Sequence, residues 1–138
     1  MNTELYNKGL DTLKRLHGGH AGERIVDDMK DICPDYAKMT IEWSFGVVMN
    51  RPQLDIRTRE LVIIASCATL GHVAPQLRAH IEAALIVGVT RDEIIEVILQ
   101  MAFYAGFAAT TNAMYIAKEV FLQVDENNKT SKEEKLCQ

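Results

Sequence analysis

Residues 77–100, with the sequence LRAHIEAALIVGVTRDEIIEVILQ, contain the clearest structural signal in the chain. Apolar residues recur at helical spacing on both sides of Gly88, a residue type that favours the end of a helix. Thr90 and Glu93 have the spacing of a capping box, in which each residue satisfies a backbone N–H group at a helix start. This segment therefore predicts two consecutive helices joined by a short turn.

The flanking sequence carries the same kinds of signal. Pro34 and Pro75 suit the first turn of a helix, because the N–H group that proline lacks would have no partner there. Asp55 suits an N-cap, and Gly71 suits a helix end. The predicted helices cover residues 3–16, 23–32, 34–49, 56–70, 75–87, 92–104 and 108–123.

The bulk composition agrees with a single all-α domain. The chain has 138 residues, of which 48% are apolar but only 7% aromatic, a balance that suits packed helices better than a sandwich of short strands. From Asp125 onward the residues are polar and charged. We therefore expect one domain over residues 1–124 and a disordered tail over residues 125–138.

Charge and cysteine usage limit the partners and the compartment. The net charge is −4 without a long basic run, so we expect no nucleic-acid partner. No apolar run reaches the roughly 18 residues of a membrane span, and the first residues predict an amphipathic helix rather than a leader peptide. The cysteines, Cys33, Cys67 and Cys137, are widely spaced and odd in number, which predicts a reduced, cytoplasmic protein.

The predicted helix over residues 92–104 is apolar around most of its circumference. Its polar stripe consists of Asp92, Glu96 and Gln100 alone, which is narrower than a surface helix normally shows. Either this helix is central in the core or another subunit covers part of it. The pattern therefore favours a homo-oligomer.

Three segments resemble the carboxymuconolactone decarboxylase family. They are residues 50–65 (NRPQLDIRTRELVIIA), residues 77–100 quoted above and residues 104–114 (YAGFAATTNAM), and the resemblance spans residues 5–121. The superfamily also contains the alkylhydroperoxidase D-like proteins. The resemblance implies a six-to-seven-helix, alkylhydroperoxidase D-like orthogonal bundle that forms trimers or hexamers. It also implies one of two chemistries: cofactor-free decarboxylation of a carboxylated butenolide lactone, or a thiol-dependent peroxidase or disulfide-exchange reaction.

The redox chemistry of the superfamily depends on a Cys-x-x-Cys pair just ahead of a helical histidine. Counted back from His80, those positions hold Val73 and Gln76, so the dithiol mechanism is excluded for this chain. Cys67 lies in an apolar run and is expected to act as a small hydrophobic residue. The alternatives that remain are a decarboxylase and an antioxidant-type or small-molecule-binding oligomer without dithiol activity.

His80 is the candidate catalytic residue of a decarboxylase. Losing CO2 leaves a carbanion that needs a proton and a donor to the oxygen that receives the charge. His80 lies at the edge of the apolar stripe of its predicted helix, with His72 and Gln76 on the same side as candidate substrate-binding residues. The alternative is a semi-buried structural histidine.

The resemblance adds three further candidate substrate-binding residues. Arg51 matches a basic position of the family and suits a carboxylate, although it could equally pair with an acid or with a neighbouring subunit. Arg57 and Arg59 match similar positions with a weaker case, and an interface pair of Arg59 with Glu60 is the alternative interpretation. Tyr104 and Asn112 match the last segment, with helix packing as the alternative role.

The chain departs from the dedicated decarboxylases at three places. Phe45-Gly46-Val47-Val48-Met49 stands where those enzymes resemble W-G-E-I-W, so Val47 replaces an acid. Ala108 stands where the family usually has proline, and the segment His72–Gln76 replaces an acid-rich stretch. These departures predict either a different substrate or a residual activity.

No cofactor or metal is expected. His17 and His20 flank two glycines without a third ligand at a suitable spacing, and His72 with His80 would need a ligand from elsewhere. The sequence has neither a phosphate-binding glycine loop nor a nucleophile elbow. The expected partner is a small carboxylate-bearing substrate.

Overall fold

A computed structural model describes residues 3–18 and 21–136, and these residues form an all-helical fold, as predicted. The α-helices are α1 Glu4–His17, α2 Ala21–Met29, α3 Pro34–Met39, α4 Ile56–Leu70, α5 Ala74–Ile86, α6 Arg91–Gln100, α7 Ala102–Ala105 and α8 Phe107–Leu136. After α3 the chain continues as a π-helix, Thr40–Val47, and a 3-10 turn, Val48–Asn50. None of the described helices combines the length and the apolar character needed to cross a membrane.

The main core lies between α4, α5, α6 and α8. Its wholly buried residues include Ile64 of α4, Ile81 of α5, Ile94 and Ile98 of α6, and Val120 of α8. Each such side chain contributes about 1.5–3 kcal/mol relative to an exposed one. The apolar run of α4 therefore has the central position that its composition predicts.

Helix α1 packs closely against the π-helix and also contacts α5. Gly9 makes this approach possible, because a Cβ atom there would collide with the backbone carbonyl of Ile41. Gly46 has the same role on the other side, where a Cβ atom would lie 2.8 Å from the carbonyl oxygen of Leu5. This packing brings the C-terminal turn of α1 next to α5.

The predicted caps are present. Asp55 accepts a hydrogen bond of 2.9 Å from the Thr58 N–H group at the start of α4. Thr90 and Glu93 form the capping box of α6, with hydrogen bonds of 3.1 Å and 2.7 Å. Gly71 ends α4 in the left-handed conformation, with φ of 74°.

The structure differs from the sequence-based expectation at the C-terminus. The sequence predicts a disordered tail from Asp125, whereas α8 continues to Leu136. An ion pair holds the first turn of this extension, because the guanidinium of Arg91 donates hydrogen bonds of 3.1 and 2.7 Å to the Asp125 carboxylate. The predicted helix over residues 34–49 also changes, since it becomes a π-helix at Thr40.

Candidate active site at His80

Helix α5 positions His80 at the edge of the core. Leu77, Ile81 and Ala84 form the buried face of α5, and the side chain of His80 is 18% exposed beside them. The edge position agrees with the apolar periodicity of the sequence. His80 therefore has one side toward the protein interior and one side accessible to a ligand.

Glu60 of α4 supplies a carboxylate to the interior side of His80. Its side chain is 0% exposed, and Oε2 lies 2.8 Å from Nδ1 of His80. An ionised carboxylate only accepts hydrogen bonds, so Nδ1 carries the hydrogen and donates it to Glu60. This arrangement leaves Nε2 of His80 as the nitrogen that can exchange a proton with a ligand.

The other oxygen of Glu60 is buried without a hydrogen-bond partner within the described parts of the chain. A buried carboxylate is costly unless it is paired, so the hydrogen bond to His80 is the main compensation shown for this charge. The same contact holds the ring of His80 in one orientation through Nδ1. Glu60 and His80 are therefore arranged as a proton-handling pair.

A second histidine lies against this pair. His17, in the last turn of α1, is only 5% exposed, and its ring centroid lies 5.0 Å from that of His80 at an interplanar angle of 87°. Phe45 of the π-helix packs on His17 at 5.8 Å between centroids. The close packing of α1 against the π-helix thus places a second imidazole at the site.

Both histidines line a small cleft of about 170 Å³. Its walls are formed by Leu13, His17, Ile25, Phe45, Pro75, Gln76 and His80. Among the residues that the structure describes, no lysine or arginine lines this cleft. The cleft is smaller than the roughly 300–1,000 Å³ of a site for a drug-sized ligand, so it suits a small ligand.

Three residues of the site could in principle hold a divalent metal ion. One ligand atom from each of His17, Glu60 and His80 lies within 4.8 Å of the others. His and carboxylate ligands are those that Zn²⁺ accepts. The direct hydrogen bond between His80 and Glu60 already satisfies one atom of each residue, so the geometry favours proton transfer over metal binding.

The structure brings together two of the six predicted site residues, His80 and Gln76. His72 is exposed and its Nδ1 lies 2.8 Å from the Leu70 carbonyl oxygen, outside the cleft. Arg51 is exposed as well, and its carbonyl accepts a hydrogen bond of 3.0 Å from Arg59. Neither residue contacts the cleft beside His80.

The two remaining candidates, Tyr104 and Asn112, also lie elsewhere. Tyr104 of α7 is 86% exposed. Asn112 of α8 lies beside a narrow gap near Cys67. Arg57, the weaker carboxylate candidate, instead forms a two-point ion pair with Glu93 at 3.0 and 2.8 Å.

Sequence reasoning missed Glu60 and His17. The sequence offers an interface pair of Arg59 with Glu60 as one interpretation, whereas Glu60 is wholly buried. The sequence does carry a signal for this burial, because Ile64 and Cys67 lie four and seven residues further on, on the same helix face. For His17 the sequence suggests only a metal site with His20, a residue that lies outside the described residues.

The departures from the decarboxylase pattern lie partly at the cleft, because Phe45, Pro75 and Gln76 line it, and partly away from it. Val47 is on the outer side of the π-helix, in an apolar groove with Leu5, Tyr36 and Trp43. None of these departures falls on Glu60 or His80, whose side chains form the hydrogen bond between α4 and α5. The substitutions therefore leave the proton-handling pair intact.

Cys67 does not have the properties of a redox thiol. Burial is the main cause that raises the pKa of its thiol, and the negative charge of Glu60 raises it further. A raised pKa favours the protonated, unreactive thiol. The position of Cys67 in the core therefore agrees with the absence of a Cys-x-x-Cys pair.

Comparison with known proteins gives one family and several relatives. The profile of the carboxymuconolactone decarboxylase family matches residues 34–119. A 4-carboxymuconolactone decarboxylase from Acinetobacter baylyi is 37% identical over 122 residues, which cover 88% of this chain and 90% of the relative.

Of two further relatives, one is aligned over a smaller share of the chain and the other is less similar in sequence. An uncharacterised 15.0 kDa protein of Paracoccus denitrificans is 37% identical over 99 residues, covering 71% of this chain and 74% of that protein. A nitrosuccinic acid decarboxylase from Metarhizium robertsii is 27% identical over 124 residues, covering 86% of this chain and 82% of the relative. Two of the three relatives are thus named as decarboxylases, for two different acids.

Proposed function

The chain belongs to the carboxymuconolactone decarboxylase family, and on this premise we propose that it is a cofactor-independent decarboxylase of a small carboxylated lactone or a related acid. Two relatives with decarboxylase names support the reaction type. Because their named acids differ, the substrate of this chain is proposed only as a class. The observation that carries the proposal is the Glu60–His80 hydrogen bond at the wall of a small cleft.

In the proposed reaction the substrate carboxylate leaves as CO2. The electron pair of the broken carbon–carbon bond moves onto an adjacent electron-accepting group, such as the lactone carbonyl. Nε2 of protonated His80 then delivers a proton to carbon, and His80 regains its proton from water. The net change is the replacement of CO2 by one proton, with no oxidation or reduction.

Glu60 acts through His80 and is proposed as its positioning residue. The carboxylate holds the imidazole in one orientation and one tautomer through Nδ1. Its negative charge also compensates the imidazolium that forms when Nε2 is protonated. Without Glu60 the ring could rotate, and the buried cation would be unpaired.

The apolar walls of the cleft support the same reaction. Leu13, Ile25, Phe45 and Pro75 surround the two histidines. A carboxylate loses part of its hydration in such a site, and the preorganised polar groups replace it where charge develops. Gln76, at the exposed rim, is proposed to donate a hydrogen bond to the departing carboxylate.

In the proposed enzyme, Arg51 contacts the substrate only if it reaches the cleft of a neighbouring subunit. It does not line the cleft of its own chain. We propose a homo-oligomer, because Phe103 and Phe107, which are 88% and 79% exposed, line one surface groove together with Leu99. Exposed aromatic residues in such a group favour a subunit contact.

The cytoplasm is the proposed compartment. Cys33 and Cys67 are both free in the described chain, and Cys33 is exposed. An exposed free thiol persists most readily in a reducing environment.

The experiment that tests the function is a turnover assay with purified protein. 4-Carboxymuconolactone and nitrosuccinate are each incubated with the wild type and with His80→Ala, and the released CO2 is measured. We expect CO2 release from one of the two acids above the rate in buffer, and a loss of at least about a hundredfold in His80→Ala. No release from either acid by the wild type would contradict the proposal.

A further inference from the structure

We infer that His17 is a second catalytic contact, whose imidazole donates a hydrogen bond to the substrate oxygen on which negative charge accumulates as CO2 leaves. The inference rests on the proposed decarboxylation for its chemistry. It rests on the structure for the location of His17, which lies in the wall of the same cleft as His80. It adds a residue from α1, outside the segment of the chain that the family profile matches.

The geometry of the two rings carries the first step of the inference. The ring centroids of His17 and His80 are 5.0 Å apart, and the rings are nearly perpendicular. Both rings line a cleft of about 170 Å³. A small acid that fills such a volume therefore contacts both imidazoles at once.

The charges around the cleft carry the second step. The polar side chains in its wall are His17, Gln76 and His80, and no cationic lysine or arginine joins them in the part of the chain that the structure describes. Gln76 is exposed, and Nδ1 of His80 is taken by Glu60. An oxygen that gains charge inside the cleft requires a preorganised donor, and the ring of His17, which is buried in the wall of the cleft, has this role in the proposed reaction.

The packing of His17 supports a fixed role. The side chain is only 5% exposed, and the Phe45 ring packs against it edge to face at 5.8 Å. Leu13 lies one turn earlier on α1 and lines the same cleft. A donor held in place before the substrate arrives requires no reorganisation during the reaction.

The two histidines then have separate tasks in one balanced reaction. The carbon–carbon bond to the carboxylate breaks, CO2 leaves, and the electron pair moves onto the oxygen that His17 contacts. The pair returns to carbon when Nε2 of His80 transfers its proton, and water restores that proton. The substrate class is therefore a small acid with a carbonyl or nitro oxygen in conjugation with the carbon that loses CO2.

Two substitutions distinguish the contribution of the His17 hydrogen-bond donor from that of its aromatic ring. His17→Phe keeps an aromatic ring against Phe45 but removes the donor, whereas His17→Gln keeps a donor. Lys118→Gln, at an exposed position of α8 that does not line the cleft, is the control. We expect kcat to fall by roughly 10²–10³-fold in His17→Phe with KM within a fewfold, a smaller loss in His17→Gln, and no change in the control.

The assay uses 4-carboxymuconolactone and nitrosuccinate, and thermal melting checks that each variant folds. If the wild type turns over an acid and folded His17→Phe retains kcat within threefold, the inference is overturned while the proposed function stands. A second arm does not need turnover. In it, the ring protons of His17 and His80 are followed by NMR as succinate is added to the wild type.

The NMR arm decides the case if no acid is decarboxylated or if His17→Phe does not fold. A saturable shift of the His17 ring resonance, together with that of His80, supports a shared ligand contact even without turnover. If the His17 resonance stays unchanged up to tens of millimolar succinate, the inference is overturned.

Discussion

The Nδ1 atom of His80 on α5 lies 2.8 Å from Oε2 of Glu60, a carboxylate that is wholly buried on α4. The two residues are 20 positions apart in sequence and meet because α4 and α5 pack against each other. A buried acid of this kind is destabilising unless it has a partner, so its presence on the buried face of α4, beside Ile64 and Cys67, indicates a chemical role for the pair. The proposed decarboxylation depends on this contact.

The reactivity of Cys67 follows from its burial. Burial first, and the charge of Glu60 second, raise the pKa of this thiol, so the thiolate forms only at a higher pH than for an ordinary cysteine. We expect iodoacetamide to label Cys33, which is exposed, well before Cys67 at neutral pH. The labelling rate of Cys67 should still be rising with pH where that of an ordinary thiol has levelled off.

Peptide mass spectrometry after timed labelling measures both rates in the folded protein. In urea the two cysteines should react at similar rates, which serves as the control. Preferential labelling of Cys67 in the folded protein would contradict the assignment of this residue to the core.

Because α1 lies so close to the π-helix, we expect a single methyl group added at Gly9 to destabilise the folded protein. Gly9→Ala places a Cβ atom against the Ile41 carbonyl, which is backbone and cannot rotate away. We expect a loss of about 1–3 kcal/mol in the free energy of unfolding from this overpacking. Urea denaturation followed by circular dichroism measures it.

Asn7→Ala is the matched control, because Asn7 is exposed on the same helix. Alanine at this position should be neutral or slightly stabilising. If Gly9→Ala were as stable as the wild type, α1 could not pack as closely as described, and the position of His17 would be in doubt.

The ion pair between Arg91 and Asp125 predicts a pH-dependent end of α8. Hydrogen bonding to Arg91 is the main cause that lowers the pKa of Asp125 from 3.8. A carboxyl group with a lowered pKa stabilises the folded state above its unfolded pKa, and this contribution is lost as the pH falls through the folded pKa. The helix after Asp125 should therefore loosen at a pH below 3.8.

Backbone NMR shifts of residues 125–136 follow this change directly. Asp125→Asn should reduce their helical shifts already at neutral pH, whereas Glu126→Gln, at an exposed neighbour, should not. Random-coil shifts throughout this segment in the wild type at neutral pH would contradict the helical extension and restore the disordered tail that the sequence predicts.

The exposed aromatic surface predicts an effect on assembly. Phe103 and Phe107 are 88% and 79% exposed and lie together with Leu99 around one surface groove. We expect the wild type to form a trimer or a hexamer, and Phe103→Asp with Phe107→Asp to shift it toward the monomer. Light scattering after size-exclusion chromatography gives the mass of each species.

Lys118→Glu, an exposed charge change on α8, is the control and should leave the mass unchanged. A wild type that remains monomeric at high micromolar concentration would contradict the proposed homo-oligomer. Loss of activity in the dispersed variant would indicate that a second subunit contributes to the site.

The sequence predicts the helices well because their ends carry local signals. Asp55, Thr90 and Gly71 act within one turn of their own position, so their effect can be read without knowing the fold. Helix α4 accordingly spans Ile56–Leu70, the same range as its sequence predicts. The π-helix has no comparable local signal, and its close contact with α1 at Gly9 and Gly46 joins segments that are distant in sequence.

The site is harder to predict because its partners are distant in sequence. The edge position of His80 follows from the periodicity of one helix, and the structure agrees with it. The contact with Glu60 requires α4 and α5 to pack in one register, and the contact with His17 requires α1 to reach α5. Arg51 and Tyr104 match a family pattern in sequence, but sequence matching does not place them near the cleft.

The central claim is that Glu60 and His80 act as one proton-handling unit, and a double-mutant cycle on kcat tests it most directly. Glu60→Gln and His80→Gln are measured singly and together for CO2 release from whichever of the two acids the wild type decarboxylates. The account predicts that each single variant loses most of the rate and that the double variant is hardly slower than His80→Gln alone. Losses that simply multiply, or a fully active Glu60→Gln, would show that the two residues act independently and would contradict it.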